Sequence, residues 1–177
     1  MSVGVRSYAD SDWPAVLAIL REVIDAGETY AYDPAWTDAE VHAVWVPGPP
    51  VRTLVAVDDL SGEVLGTATC GPNRPGRGAH VGTASFMVAG RARGRRVGRV
   101  LGEYVLAQLA RDGYAAVQFN AVVATNEAAV RLWTSLGFVV VGTVPEAFAH
   151  RAYGRVGLHV MHRFLPVESV GPAGRAD

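Results

Sequence analysis

The sequence predicts a mixed α/β domain organised around one sheet. Period-two apolar runs alternate with stretches whose apolar residues recur every three to four positions. Their order is strand, two helices, three strands, helix, strand, helix, two strands. Half of the 177 residues are hydrophobic, which is enough for a sizeable core.

Residues 3–8 alternate apolar and polar side chains and open the chain as a strand. Asp10 or Ser11 then caps a helix with Pro14 near its first turn, and Trp13, Leu17, Leu20 and Ile24 share one face. Gly27 ends that helix. The polar, aromatic segment GETYAYDPAWTDAE reads as a loop into a second helix near residues 37–46, which the PGPP at 47–50 stops. Residues 52–58 and 63–70 form a hairpin across the turn DLSG. A loop over 71–78 leads into a long strand over 79–89. A helix over about 97–112 presents Val97, Val100, Leu101, Tyr104, Val105 and Leu109 on one side and stops at Gly113. Residues 115–123 make a strand, and Asn126 opens a short helix that Gly137 closes. Residues 138–143 and 156–163 supply the last two strands. The reading is one domain over residues 1–165 with a Gly-, Pro- and Ala-rich frayed tail over 166–177.

Composition excludes several classes of function. A charged fraction of 19% with a net charge of -1 is not that of a disordered chain. A sequence pI near 6.5 argues against a generally basic nucleic-acid-binding domain. All 16 basic residues are arginine, which removes Schiff-base chemistry and any P-loop lysine. The single cysteine, Cys70, excludes an internal disulfide and reads as a buried apolar residue. The longest clean apolar run, Ala15 to Leu20, is too short to span a bilayer, and the N-terminus has no signal-peptide core. A soluble, cytoplasmic protein with no membrane partner is the expectation. His159 and His162, three apart on a strand, fall on opposite faces, so no metal site is expected.

The chemistry concentrates in residues 86–99, FMVAGRARGRRVGR. Arg91, Arg93, Arg95, Arg96 and Arg99 lie between a strand and the start of a helix. Main-chain N–H groups at a helix start are unpaired and the macrodipole is positive there. Gly94 and Gly98 let a ligand approach the backbone closely. Together they suit an anion such as phosphate or pyrophosphate. The other reading is a solvated, arginine-rich surface turn. The segment carries neither a P-loop nor a dinucleotide fingerprint. It also lacks the interleaved aromatics of a nucleic-acid surface. Further on, Asn126, Ala129, Leu132-Trp133 and Gly137-Phe138 stand at fixed spacing, and Asn126 by itself reads equally as a plain helix cap.

These two segments resemble the motifs of the GCN5-related N-acetyltransferases (GNAT). The family's first motif is a strand ending in a hydrophobic pair. A glutamine or arginine follows, then after two residues a glycine, and after one more a glycine or alanine opening a helix. Met87-Val88 match the pair, and Arg93, Val97 and Gly98 match the loop. The second motif, N-x-x-A-x-x-L-(Y/W)-x-x-x-G-F, is matched throughout from Asn126 to Phe138. The order of elements fits over residues 3–163. The resemblance implies the GNAT fold, a mixed, mostly antiparallel sheet of about seven strands flanked by about four helices. It implies acetyl-CoA as acetyl donor, no metal and an N-acetyltransferase acting on a small-molecule amine. Its pyrophosphate would rest on the backbone of Arg93, Gly94, Arg95, Arg96, Val97, Gly98 and Arg99. The pantetheine arm would pair with Met87 and Val88, beside Asn126, Ala129 and Trp133, with the acetyl carbonyl near the Val88 amide. A homodimer is expected from the family's habit, and no nucleic-acid partner.

The match is nearest to small-molecule acetyltransferases of the proline-analogue (azetidine-2-carboxylate) type, through QFNAVVATN and AHVGTASFMV. That implies substrate contacts from Asn120, which shares a strand face with Gln118, and from Thr83, Ser85 and the loop residues Glu28, Thr29 and Tyr30. Two departures stand out. Arg96 replaces the family's middle glycine, and Trp133 replaces a tyrosine that protonates the leaving thiolate. An indole N–H is no practical proton source. A thiol of pKa about 8.5 leaving as thiolate at pH 7 costs roughly 2 kcal/mol, which is tolerable. The glutamate that serves histone acetyltransferases as base is Gly82 here, so His80 or Glu28, or water held by them, becomes the candidate base. Rival readings are a non-catalytic CoA-binding module, a protein N-acetyltransferase and, from the arginine cluster alone, a nucleic-acid-binding domain.

Overall fold

A computed structural model describes residues 2–166 of the chain. The expected tail from 166 lies outside the described residues apart from Pro166. The strands are β1 (Val3–Ser7), β2 (Arg52–Asp58), β3 (Val64–Pro72), β4 (Val81–Val88), β5 (Ala116–Val123), β6 (Val139–His150) and β7 (Gly154–Phe164). The helices are α1 (Trp13–Ala26), α2 (Asp38–Trp45), α3 (Val97–Arg111) and α4 (Glu127–Ser135). The seven strands form one sheet in the order β1-β2-β3-β4-β5-β7-β6. Every neighbouring pair is antiparallel except β4 and β5, which run parallel and touch only at Val81–Ala116 and Gly82–Val117. Beyond Gly82 these two central strands diverge, and the gap between them positions the site.

Each helix has a local cause. Thr37 caps α2 in a reciprocal pair with Glu40, whose carboxylate accepts the Thr37 N–H at 2.7 Å. Val97, Leu101, Val105 and Leu109 bury one stripe of α3 against the sheet. Gly102 lets α4 come close, because a Cβ there would meet Trp133 and Leu136 at 3.0 Å. Gly137, at φ +86°, ends α4 after Leu136.

Three elements differ from the sequence reading. α1 begins at Trp13, after a 3-10 turn over Asp10–Asp12. Neither Asp10 nor Ser11 caps it. Asp12 instead accepts from the Ala9 N–H at 2.9 Å and pairs with Arg6 at 2.7 and 2.8 Å. The buried stripe of α1 is Val16, Ile19, Leu20 and Ile24, while Trp13 turns its ring edge toward His42 of α2, 4.5 Å between centroids. The closing hairpin is longer than expected. Irregularities between Val140 and Gly142 and between Val144 and Phe148, with Glu146 at φ +52°, break the alternation that marks a strand in sequence. β6 is also an edge strand whose Val139, Val140, Val141 and Val144 are exposed, so no buried stripe advertises it.

Candidate active site

A cavity of about 880 Å³ follows the gap between β4 and β5. Of the residues given cofactor, substrate or base roles from sequence, all but Arg95 and His80 line it. One end is the loop entering α3. The other is the Glu28–Tyr32 segment after α1, closed over by Phe148 and Leu158 of the β6–β7 hairpin. That hairpin is docked by its tip: the Arg151 N–H donates to the Gly27 carbonyl at 3.0 Å, and its guanidinium to the Asp25 carbonyl at 3.1 Å.

At the loop end, Gly94 (φ +77°) and Arg96 (φ +63°) both sit in the left-handed region. The N–H groups of Gly94, Arg96, Val97, Gly98 and Arg99 take no protein acceptor among the described residues. The first helical bond runs from Val100 N–H to the Arg96 carbonyl at 3.0 Å. A run of free donors with alternating handedness at a helix start is an anion cradle. A Cβ on Gly94 would meet nothing within 4 Å, so the glycine is required by its φ alone. Arg96 adopts the glycine-type conformation rather than the helical one, so its departure from the family pattern falls where a side chain is strained.

The arginine cluster divides. Arg95 pairs with Asp58 at 2.8 Å and its N–H donates to the Ala92 carbonyl at 3.3 Å, so it is directed away from the cradle. Arg91 pairs with Glu63 at 2.7 Å. Arg99 donates to Ser135 Oγ at 2.6 Å and to Glu103 at 3.3 Å while also lining the cavity. Arg93 and Arg96 line the cavity and take no partner among the described residues. Hydrogen bonds from Leu60 and Ser61, with Arg95 beside it, hold the Asp58 carboxyl below the usual carboxylate range, so this pair is charged at neutral pH.

In the middle, β4 has a strict parity. Ala89 N–H donates to the Leu65 carbonyl on β3, and Ala115 N–H on the β5 side donates to the His80 carbonyl. Odd-numbered residues of β4 therefore bond β3, and even-numbered ones turn their main chain to the gap. Met87, 1% exposed, is paired to Thr67 of β3, so its main chain does not face the gap. Val88 does. Asn126 uses its side-chain oxygen to cap α4, accepting from Ala129 N–H at 3.2 Å, which leaves only its NH₂ for a ligand. Trp133, 7% exposed, packs its ring on Phe86 and Phe119 with centroids 4.7 and 4.9 Å away.

The Glu28 end is polar at its rim and aromatic within. Glu28 is exposed and lines the cavity with Thr29, Thr83, Ser85 and Asn120. Asn120 donates to Asn73 Oδ1 at 2.6 Å and accepts from Gln118 at 2.8 Å, which orients its carboxamide. Tyr30 has no free hydroxyl: it donates to the Phe86 carbonyl at 2.9 Å and accepts from the Phe86 N–H at 2.8 Å. Burial pushes the Tyr30 and Tyr32 hydroxyls up, so both stay protonated at neutral pH. His80 lies before β4, exposed, at the end where β4 and β5 are joined, roughly 23 Å along the chain from Met87 at strand rise. It does not line this cavity. A Cβ at Gly82 would meet Leu109 of α3 at 3.3 Å, so a side chain there would start on the α3 side of β4. Phe148 and Leu158 were missed in sequence because their strands place them beside the site only through the hairpin docked on Gly27.

A model of the acetyltransferase (GNAT) family matches residues 16–138. The chain belongs to this family. A solved GCN5-related N-acetyltransferase from Kribbella flavida is 58% identical, with a TM-score of 0.89 over 92% of this chain and 98% of that one. Among curated GNAT relatives, the L-methionine sulfoximine/L-methionine sulfone acetyltransferase of Pseudomonas paraeruginosa is 32% identical over 82% of this chain and 86% of its own length. The N-acetyltransferase aca1 of Schizosaccharomyces pombe is 31% identical over 70% of this chain, and the match spans 66% of aca1. A GNAT phosphinothricin acetyltransferase from Sinorhizobium meliloti, solved with AcCoA, shares the fold at 20% identity, with a TM-score of 0.83 over 97% of both chains. The α/β sheet of seven strands with four helices is the GNAT fold expected from sequence.

Proposed function

We propose that the protein transfers an acetyl group from acetyl-CoA to the amine of a small molecule, an amino acid, an amino-acid analogue or an amine xenobiotic. One observation carries this reading: a single cavity joins the main-chain anion cradle before α3, the open Val88 N–H and the Glu28 loop. The donor set suits acetyl-CoA. The free N–H groups of Gly94, Arg96, Val97, Gly98 and Arg99 and the guanidinium groups of Arg93 and Arg96 would hold the pyrophosphate, and Val88 and the Asn126 NH₂ the pantetheine arm. The acetyl group arrives as a thioester, already activated toward amines.

What the chain adds is position, a donor and a base. Val88 N–H donates where negative charge grows on the carbonyl oxygen. Glu28, across the cavity, accepts the proton the ammonium must lose before its nitrogen forms the new C–N bond. As the C–S bond breaks, the nitrogen gives up its second proton to water and the thiolate takes one from water, because Trp133 has none to give and Tyr30 is committed to Phe86. The two relatives named for methionine sulfoximine and phosphinothricin support an amino-acid-like acceptor. The homodimer also belongs to this reading, and the exposed Val139, Val140, Val141 and Val144 of the edge strand β6 support it as apolar positions that a second copy would cover.

The test is thiol release from acetyl-CoA across a panel of amino acids, their sulfone and phosphinate analogues, simple amines and peptides, with the acetylated product identified by mass. Release that depends on a small amine is expected. Release only with peptides would move the assignment to a protein substrate. Tight acetyl-CoA binding with no release would make the protein a CoA-binding module.

A further inference from the structure

The main-chain rungs of β4 that face the gap are Ala84, Phe86 and Val88, by the parity set out above. In a sheet such rungs are paired by the neighbouring strand, but β5 has already diverged. The Phe86 rung is nevertheless complete. A single hydroxyl, that of Tyr30, accepts its N–H at 2.8 Å and donates to its carbonyl at 2.9 Å. Tyr30 mimics one residue of a missing strand. Its ring is held in turn by Tyr32, with centroids 5.5 Å apart, and by Trp45, 6.2 Å away. Trp45 is fully buried and its indole N–H donates to Thr67 Oγ1 at 3.0 Å, so the plug is anchored in the core. Val88, the next rung toward the anion cradle, is open.

We infer that Tyr30 is a positioning residue that sets the register of the acyl donor along β4. It occupies the Phe86 rung, so an extended donor chain pairs at Val88 and ends there. The inference rests on the proposed use of acetyl-CoA. In that donor two methylene groups separate the last amide N–H from the thioester, so both can pair with the two polar groups of a single rung. With the amide N–H donating to the Val88 carbonyl, the thioester carbonyl accepts the Val88 N–H and the acyl methyl lies against Tyr30 and Phe86. The plug thus does two things. It stops the donor from slipping one rung toward the acceptor loop, which would carry the carbonyl past the Val88 N–H. It also bounds the space for the acyl chain, favouring acetyl over longer groups.

Two measurements test this. The first is Tyr30→Phe, which keeps the ring and removes the plug's hydroxyl. CoA affinity is expected within about threefold of the parent, kcat with acetyl-CoA is expected to fall at least tenfold, and the propionyl-to-acetyl preference to rise at least fivefold. A residue that only stabilises the fold would lower Tm and leave that preference unmoved, and unchanged preference with unchanged kcat overturns the inference. The second uses the unaltered protein and so survives a variant that fails to fold. Amide hydrogen exchange should find Phe86 N–H protected without ligand and unaffected by CoA, and Val88 N–H exchanging freely until CoA slows it at least tenfold. Free exchange at Phe86, or CoA raising Tm while Val88 stays unprotected, overturns the register. No rise in Tm with CoA overturns the donor itself, and the inference with it.

Discussion

The two ends of the cavity are built by different means. Before α3 the polar groups turned to it are mostly main chain: the free N–H groups of Gly94, Arg96, Val97, Gly98 and Arg99 and the open rung at Val88, with the Arg93 and Arg96 side chains beside them. At the Glu28 end they are side chains: Glu28, Thr29, Thr83, Ser85 and Asn120, with the rings of Phe119 and Phe148. Main-chain recognition tolerates changes of residue type as long as φ and ψ survive. That is how Arg96 stands where its family prefers glycine. Side-chain recognition has no such tolerance, and in the proposed reaction a single atom there would decide which amine is accepted and how it is deprotonated.

The largest effect is expected at the acceptor end. Glu28→Gln should lower kcat/KM by about a hundredfold or more, the size of a lost general base, while leaving CoA affinity unchanged. An unchanged kcat/KM and pH profile would remove Glu28 from the chemistry. At the donor end the contrast is between two neighbours. Gly94→Val forces a branched side chain into φ +77°, which costs about 1–2 kcal/mol and disorders the cradle, so CoA should bind roughly tenfold more weakly. Arg93→Ala, which removes a charge and keeps the main chain, should weaken it less. The reverse order, read by titration calorimetry, would break the main-chain account.

Smaller again is the strain at Arg96. Arg96→Gly and Arg96→Ala lose the same charge, but only glycine relieves φ +63°. The glycine variant should be the more stable of the two by about 1 kcal/mol in denaturant unfolding. Least affected should be Cys70→Ala. Cys70 pairs with Ala84 of β4 and lines a small pocket with Thr83 and Ser85, and burial pushes its thiol up to about 11. Activity should be unchanged, and alkylation of the native protein at pH 8 should be roughly a hundredfold slower than for a free thiol, because so little of it is thiolate.

The same division explains what was legible in the sequence. The segment from Asn126 to Phe138 could be read because each residue answers a local demand: a cap at Asn126, close packing against Gly102, a left-handed stop at Gly137. The loop before α3 could be read as an anion site for the same reason. Which arginines serve it could not, because Arg91 and Arg95 are drawn off by Glu63 and Asp58, partners 28 and 37 residues away. His80 followed from assuming that β4 starts early, and one strand boundary removes it from the cavity. Tyr30 was read as a substrate contact, but its hydroxyl is bound to a rung 56 residues away, a pairing with no mark in sequence. The α/β order of elements was visible throughout, except in β6, where bulges and double exposure hide the period of two.

The proposed donor site is made mostly of main chain. The direct measurement is thermal unfolding of the unaltered protein alone and with acetyl-CoA, CoA or ATP. Acetyl-CoA and CoA at about 100 times Kd should each add about 2.7 kcal/mol, or several degrees in Tm, and ATP should add little. No shift at millimolar acetyl-CoA would contradict it, and would mean that the strained Arg96 has disabled the cradle.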